Sequence, residues 1–192
     1  MPSLRSRSER QYSTDLAAWS ERGWPMPRSH LQHILSMLDE AYEGPAWHGP
    51  CLRGSLRGLT CAQLTWRPAR GRHNIWEIAV HAAYWKYAVR RRLLGEKEHT
   101  FPEKGSNWFE RPAVKDNRMS ARAWERDVAL LGRMHAELRA AVCLLADSEL
   151  DHPSRGSRQT PRLQISGIAL HDVYHAGQIQ LIRRLADRRA LK

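Results

Sequence analysis

One segment of this chain carries large side chains at a spacing that only a long helix brings onto a single face. These side chains are spaced alternately four and three residues apart, and we call them the heptad stripe: Trp124, Val128, Leu131, His135, Leu138, Val142 and Leu145. An α-helix brings such positions onto one face, whereas a β-strand distributes them over both faces. Residues 120–145 are therefore predicted to form a helix that packs along about three heptads against other helices.

Three further segments carry helix patterns with recognisable ends. Apolar residues at helical spacing predict a first helix over residues 28–42, which the following glycine and proline terminate. Asn74 and Glu77 form a capping-box pattern for a second helix, which ends at Arg92 or Leu94 before Gly95. Thr160 and a proline in the first turn open a last helix, which runs to about residue 189. No segment alternates like a strand, so the predicted fold is an all-α four-helix bundle.

Residues outside the four helices are assigned to a tail and to loops. Residues 1–27 have no sustained period and close with prolines, which predicts a poorly ordered N-terminal extension with one short helix near residues 14–22. The bundle domain is accordingly predicted over residues 28–192. A short helical piece is expected at residues 52–58. The long polar loop at residues 96–116 is expected to shape a pocket mouth, with Trp108 and Phe109 as lid residues.

Charge favours anionic partners without selecting among them. Lysine and arginine number 31 against 20 acidic residues, a formal net charge of +11. Arginines cluster at the predicted ends of the second and fourth helices, where the helix dipole favours cations. The chain has no zinc finger, recognition helix or alternation of basic and aromatic residues. Specific nucleic-acid binding is therefore not expected, and a small anionic molecule is one compatible substrate.

The sequence predicts a cytoplasmic protein that does not cross a membrane. No run approaches the roughly 18 apolar residues of a membrane span, and the first eight residues lack the apolar segment of a secretory signal. Three widely spaced cysteines, Cys51, Cys61 and Cys143, contain no C-x-x-C pair. A disulfide framework is therefore not expected, and Cys143, beside the heptad stripe, is interpreted as structural.

A histidine pair on the last helix is the first candidate site. His171 and His175 are four residues apart, so both imidazoles lie on one helical face at the spacing that chelates a metal. Gln178 continues this face and could orient a histidine or bond a ligand. Gly177 is interpreted as a close approach of another helix or a ligand, since glycine is unfavourable inside a helix. Further along the same face, Leu181 or Ile182, and then Leu185, are expected to be buried in the apolar core.

A single histidine on the second helix could complete the pair. His81 lies among apolar residues near the middle of that helix, and three neutral imidazoles would hold a divalent transition metal with one position open. The alternative for His81 is a hydrogen-bonded core residue.

His135 could be a fourth ligand, a proton shuttle or a histidine at the bundle margin. Asp172 is expected to pair with an arginine or with another helix.

Two stretches connect these histidines through a family resemblance. WEIAVHAAYW at residues 76–85 and GIALHDVYHAGQI at residues 167–179 resemble the two signature segments of DinB-like four-helix proteins. Residues 101–108 and Trp124 are similar in kind and order to one branch of that family. The resemblance covers about residues 28–190. It implies a bundle that is often a homodimer and that carries a divalent metal (Zn, Ni, Fe or Mn) on His81, His171 and His175.

The resemblance also implies chemistry. Relatives with known activity are thiol-dependent transferases that use bacillithiol, mycothiol or glutathione, together with a mycothiol-dependent isomerase. The expectation is a metal-dependent enzyme with a small-molecule substrate, either a transferase that uses a low-molecular-weight thiol or a hydrolase. A metal would lower the pKa of a bound water or thiol. The alternatives are a non-catalytic metal or small-ligand binding module and, ranked lowest, a basic nucleic-acid-associated protein.

Overall fold

The computed structural model describes residues 29–112, 121–153 and 158–190 as a helical bundle. Within these ranges there is no strand, and four of the helices are long. The helices are α1 (His30–Tyr42), α2 (Leu52–Ser55), α3 (Cys61–Thr65), α4 (Ile75–Leu94), α5 (Ala121–Cys143) and α6 (Pro161–Ala190), with a 3₁₀ turn at Asp147–Glu149. The predicted all-α bundle is confirmed. The expected extension at residues 1–27, with its short helix, lies outside the described residues.

The ends of α4 follow the capping pattern in the sequence. The Asn74 side chain accepts a hydrogen bond from the backbone N–H of Glu77, and the Glu77 side chain accepts one from the backbone N–H of Asn74. Gly95 ends the helix with a φ of 67°, a left-handed conformation that glycine adopts without strain. Thr60 and Gln63 form a second capping box that opens α3. The sequence prediction missed α3, although this capping pattern was present in it.

Two apolar clusters fill the bundle, one toward each end of α4. One cluster joins α4, as far as Tyr87, to α5 and to the second half of α6, and includes Trp76, Leu131 and Ile179. The other joins α1 to the last turns of α4, and includes Leu38, Val89, Leu138 and Ile165. The heptad stripe of α5 supplies both clusters, because Leu131 lies in the first and Leu138 in the second.

A layer of polar side chains separates the two apolar clusters. On α4 and α5 this layer contains His81, Lys86 and His135, and on α6 it contains His171, Asp172 and His175. Five of these six side chains are buried, and His171 is half-buried. Buried polar groups are unfavourable unless they are bonded or paired. The layer is therefore the part of the bundle in which a ligand site is most expected.

The loop after α4 is tied to the bundle by its own aromatic side chains. Phe101 and Phe109 are buried against Tyr84, and the Tyr87 hydroxyl accepts a hydrogen bond from the Thr100 N–H at 2.7 Å. The backbone N–H of Arg111 donates to Glu77 at 3.2 Å. The predicted lid role is wrong for Phe109, because its ring is buried in the core against Tyr84 and Phe101, where an apolar side chain is more stable than over a pocket.

Several predictions about side-chain environments are wrong. Of the two alternatives Leu181 and Ile182, Ile182 is buried as predicted and Leu181 is exposed, but Leu185, which was expected to follow into the core, is exposed. A Cβ added to Gly177 would meet no atom within 4 Å, so among the described residues no other helix approaches that glycine, and the alternative of a ligand there stays a prediction. Cys143 is exposed rather than structural. These positions follow the outer side of a helix at the bundle surface, where apolar identity alone does not show burial.

Other expectations agree with the structure. The three cysteines are free. Arg90, in the cluster at the end of α4, pairs with Glu96 and Glu137, so part of the basic charge is balanced locally. Within the described ranges, no helix combines the length and the apolar character that crossing a bilayer requires.

Candidate metal centre

Three imidazole rings from two helices converge at the middle of the bundle. His81 on α4 faces His171 and His175, which lie one turn apart on α6. The Nε2 atom of His171 is 3.1 Å from Nε2 of His81 and 3.1 Å from Nε2 of His175. One ring nitrogen from each histidine lies within 4.8 Å of the others. The predicted meeting of the three rings is therefore present in the structure.

A backbone carbonyl orients the His81 ring. Nδ1 of His81 is 2.7 Å from the carbonyl oxygen of Asn107 in the loop after α4. Because a carbonyl oxygen only accepts, Nδ1 carries the hydrogen in the neutral ring and Nε2 keeps a bare lone pair. Asn107 adopts a φ of 70°, a left-handed conformation that asparagine tolerates. Its side-chain oxygen also accepts a hydrogen bond from the indole of Trp85 at 3.0 Å.

A side-chain amide orients the His175 ring in the same way. Nδ1 of His175 is 2.7 Å from Oε1 of Gln178, and the amide nitrogen of Gln178 donates to the Tyr174 hydroxyl at 2.9 Å. With the amide oxygen facing His175 and the amide nitrogen facing Tyr174, Nδ1 of His175 donates and Nε2 is bare. The role predicted for Gln178, orienting a histidine, fits this geometry.

The resulting donor set fits a cation. Two bare Nε2 lone pairs point toward the Nε2 atom of His171, and a hydrogen there could satisfy only one of them. Three nitrogens bound tetrahedrally to one metal at 2.0–2.1 Å lie about 3.3 Å apart. The two separations that involve His171 are close to this value at 3.1 Å, and all three nitrogens lie within 4.8 Å of one another. Nδ1 of His171 is buried and has no hydrogen-bond partner among the described residues. A divalent metal would use all three lone pairs at once.

Burial keeps these imidazoles in the form that binds metals. Loss of solvation lowers the pKa of His171 to about 3, and the neighbouring His175, His81 and Lys86 contribute to the decrease. Desolvation likewise lowers the pKa of His175 to about 4, while the Gln178 bond opposes this shift. The pKa of His81 is also lowered by burial, against the effect of the Asn107 carbonyl. Neutral imidazole is the ligating species.

An indole from the loop stacks on the candidate ligands. The Trp108 ring lies parallel to His81, with centroids 3.9 Å apart, and its other face stacks on His73 at 3.6 Å. Nδ1 of His73 in turn contacts Glu77 at 3.0 Å. Trp108 was expected at the pocket mouth, and it does line the pocket. The spacing of His73 in the sequence does not predict this contact, because only the folded loop brings it to the indole.

The histidine cluster opens into a cavity of about 550 Å³. Its walls combine the three ligand candidates and Trp108 with apolar side chains, namely Ile78, Leu181 and Ile182. Arg72 and Tyr174 also line it, and both are exposed. Among the described residues, no fourth histidine, cysteine or carboxylate joins the cluster. The cavity could therefore admit a small molecule to the open side of a bound metal.

Two other predicted residues lie away from this cluster. His135 is stacked on Tyr42 with ring centroids 3.8 Å apart, and it lines a separate cavity of about 390 Å³. That placement does not fit a fourth ligand. Asp172 pairs with Lys86 of α4, and both side chains are fully buried. An arginine or another helix was the predicted partner of Asp172; the partner lies on another helix, but it is a lysine.

Comparison with known proteins adds a family match. A family model described as the DinB superfamily matches residues 51–179, a stretch that contains all three histidines of the cluster. No curated protein and no solved structure matches the chain.

Proposed function

The chain belongs to the DinB superfamily, and we propose that His81, His171 and His175 bind one divalent transition metal. The observation that supports this most strongly is the convergence of three Nε2 atoms, two of them in rings whose Nδ1 atoms already donate to Asn107 and Gln178. Imidazole ligands suit zinc, nickel and iron, and a site with an open position also admits manganese.

The protein's own groups would orient the ligands and shape the space in front of them. The Asn107 carbonyl and the Gln178 amide hold two rings with their Nε2 atoms directed inward, an arrangement that raises ligand basicity. Trp108 covers one face of His81 and limits the access of water from that side. A divalent metal, when bound, supplies Lewis acidity that lowers the pKa of a coordinated water or thiol.

We further propose that the protein is an enzyme acting on a small molecule, either a thiol-dependent transferase or a hydrolase. The cavity of about 550 Å³ has the size of a small-molecule site. Three protein ligands leave room for a thiol or water, as in catalytic rather than structural metal sites. Arg72 at the rim could bind the carboxylate or phosphate of an anionic substrate. We also propose a homodimer and a cytoplasmic location, with which the free cysteines agree.

Cobalt substitution tests both the metal site and its open position. Untagged protein stripped with a chelator is titrated with Co²⁺, and d–d absorption bands that saturate near one equivalent are expected. A low-molecular-weight thiol, glutathione first, should then produce a sulfur-to-cobalt charge-transfer band. His33→Ala, an exposed histidine on α1, is the matched control for His171→Ala, which should abolish both signals. Saturable metal binding with no response to any thiol or substrate would favour the non-catalytic binding module.

A further inference from the structure

A second cavity lies between the second half of α4 and the first three turns of α6. Its volume is about 500 Å³, which is within the range of small-molecule sites. Among the described residues that line it, only His171 also lines the cavity of the candidate metal centre. The two cavities therefore have one imidazole ring in common, and metal binding at the histidine cluster does not account for the second cavity.

One cation in the second cavity has no anion beside it. Three arginines follow one another near the end of α4. Arg90 forms two ion pairs, and Arg91 donates to a backbone carbonyl. The guanidinium of Arg92 instead lies 5.5 Å from the centre of the Trp85 ring, and it has no hydrogen-bond or ion-pair partner among the described residues. No described residue that lines the cavity is acidic, so the cavity favours an anion.

The ring beneath Arg92 is held in place. The indole N–H of Trp85 donates to Oδ1 of Asn107 at 3.0 Å, and the centroid of the indole is 6.2 Å from that of the His171 imidazole. A guanidinium that stacks on a fixed aromatic ring keeps its N–H groups free in its own plane. Such an arginine can bind a carboxylate through two parallel hydrogen bonds. Arg92 is therefore suited to hold a carboxylate at this cavity.

The remaining walls are largely apolar. Val89 and Ile168 are buried and Leu163 is exposed, so the apolar lining extends from the core to the surface. Two amide side chains, Gln159 and Gln164, also line the cavity. The wall that α4 contributes spans about 10 Å along the helix axis. An extended apolar group of several carbon atoms fits along such a wall.

A glycine keeps the α6 wall open. Gly167 lies inside a helix, where glycine is unfavourable, and it lines the cavity. A Cβ added there would meet no atom within 4 Å among the described residues, so no packing contact requires a glycine. Glycine suits positions at which a ligand approaches the backbone closely. A larger side chain at Gly167 would instead extend into the cavity.

We propose that the second cavity binds a small apolar carboxylate, with the carboxylate group on Arg92 and the apolar body against Val89, Ile168 and Gly167. Octanoate and phenylpropanoate have this chemistry. A single guanidinium matches the single charge of a carboxylate, whereas a phosphate monoester carries nearly two charges. The site does not use the metal, so it goes beyond the proposed function, and either can fail without the other.

Isothermal titration calorimetry of the full chain with octanoate tests the site. The wild type should bind one equivalent with a Kd below about 1 mM. Octanamide, which lacks the charge, should bind at least about tenfold more weakly, and Arg92→Gln should weaken octanoate binding by a similar factor. Arg91→Gln, the neighbouring arginine outside the cavity, is the matched control and should bind as the wild type does.

Two outcomes of this titration would overturn the proposal. One is a wild type that binds neither octanoate nor phenylpropanoate below about 10 mM. The other is an Arg92→Gln variant that binds octanoate as tightly as the wild type does.

Filling the cavity tests the location without removing a charge. Gly167→Leu should abolish octanoate binding and should not lower the melting temperature, because leucine is the better helix former. Gly177→Leu is the matched control, since Gly177 is exposed on the same helix and lines neither cavity. It should bind octanoate normally. Unchanged octanoate binding by Gly167→Leu would contradict the assignment.

Methyl NMR distinguishes this site from carboxylate binding to a metal at the histidine cluster. Octanoate should shift the methyl resonances of Val89 and Ile168, and not those of Ile78 and Ile182, which line the cavity of the metal centre. The opposite pattern would place the carboxylate at the metal centre and overturn the proposal. Octanoate binding of the expected kind by protein that takes up no metal would refute the metal site and leave this site standing.

Discussion

Consecutive residues of α6 belong to two polar clusters of opposite character. His171 faces the imidazoles of His81 and His175 beside an open cavity. Asp172 faces Lys86 inside the bundle, where both side chains are fully buried and the ammonium lies 4.9 Å from the centre of the Tyr42 ring. We refer to the first as the open cluster and to the second, together with His135, as the closed cluster.

The difference lies in what each cluster leaves unsatisfied. In the closed cluster one cation meets one anion, and burial raises the pKa of Asp172 while the attraction of Lys86 opposes that rise. Its unbonded atoms, Oδ1 of Asp172 and the ring nitrogens of His135, do not form a three-residue ligand set. In the open cluster three like donors converge and no counter-charge is present. Convergence of lone pairs, rather than polarity, distinguishes a candidate site from a structural ion pair.

Removing a candidate ligand should distinguish the metal-binding open cluster from the closed cluster most clearly. His171→Ala is expected to weaken zinc binding by at least about 1,000-fold, equivalent to about 4 kcal/mol, because two imidazoles cannot close the coordination sphere. Competition with a chromophoric chelator measures the affinity. His33→Ala should bind as the wild type does. An affinity for His171→Ala within about tenfold of the wild type would show that the open cluster is not the binding site.

Breaking the ion pair should affect stability and not metal binding. Lys86→Met leaves the Asp172 carboxylate buried without a cation, and such a change costs about 3–5 kcal/mol in the free energy of unfolding. The double variant Lys86→Met/Asp172→Leu should recover most of that loss, because it removes both charges. Urea unfolding provides the measurement. If Lys86→Met kept its stability but lost zinc, the closed cluster would belong to the functional site.

Gln178 tests whether the open cluster depends on its orienting contacts. Gln178→Leu is expected to weaken zinc binding by about 10- to 100-fold, the usual effect of losing a hydrogen bond to a ligating imidazole. Gln178→Glu keeps an acceptor for Nδ1 of His175 and should retain most of the affinity. Gln180→Leu, two residues further on the same helix, is the control. Equal affinities in all three variants would remove Gln178 from the account.

His135 makes the closed cluster sensitive to acid. Burial, with Lys86, Arg139 and Arg53 nearby, lowers the pKa of His135 to about 3, whereas the unfolded chain has a value near 6.5. Asp39, 3.7 Å from Nε2, is the facing carboxylate. Because the unfolded state binds the proton first, stability should fall as the pH decreases from about 6.5 toward 3. Between pH 7 and pH 5 the wild type should lose about 2 kcal/mol more than His135→Leu. Parallel pH profiles of unfolding would contradict this assignment.

The smallest effect is expected at Asn107. Asn107→Gly keeps the carbonyl that accepts from His81 and adopts the left-handed φ easily, so zinc affinity should stay within about threefold of the wild type. Asn107→Val should weaken binding by about fivefold, because a branched side chain strains that conformation by about 1 kcal/mol or more. Chelator competition distinguishes the two variants. A loss in Asn107→Gly equal to that in Asn107→Val would assign the effect to the lost side-chain bond with Trp85.

The sequence was informative where the determining interactions are local. Asn74, Glu77 and Gly95 defined the ends of α4, and the four-residue spacing of His171 and His175 placed both rings on one face. Joining His81 to them required the family resemblance, because 90 residues separate it from His171 in the chain. Leu185 was assigned to the core, and Leu181 was an alternative to Ile182 there, because an exposed apolar stripe has the same period as a buried one.

The parts that the sequence did not reveal depend on contacts between distant segments. The Asn107 carbonyl that orients His81 is a backbone group, and every residue has one. Lys86 and Asp172 are 86 residues apart, so only the packing of α4 against α6 shows that they pair. The stacking of Trp108 between His73 and His81 likewise requires the folded loop.

Metal analysis of the untagged protein tests the central claim most directly. The open cluster predicts about one equivalent of a transition metal per chain, either as purified or after reconstitution and desalting, and no more than about a tenth of an equivalent in His171→Ala. Wild-type protein that retains less than about a tenth of an equivalent after reconstitution with zinc, nickel, iron and manganese would contradict the metal centre.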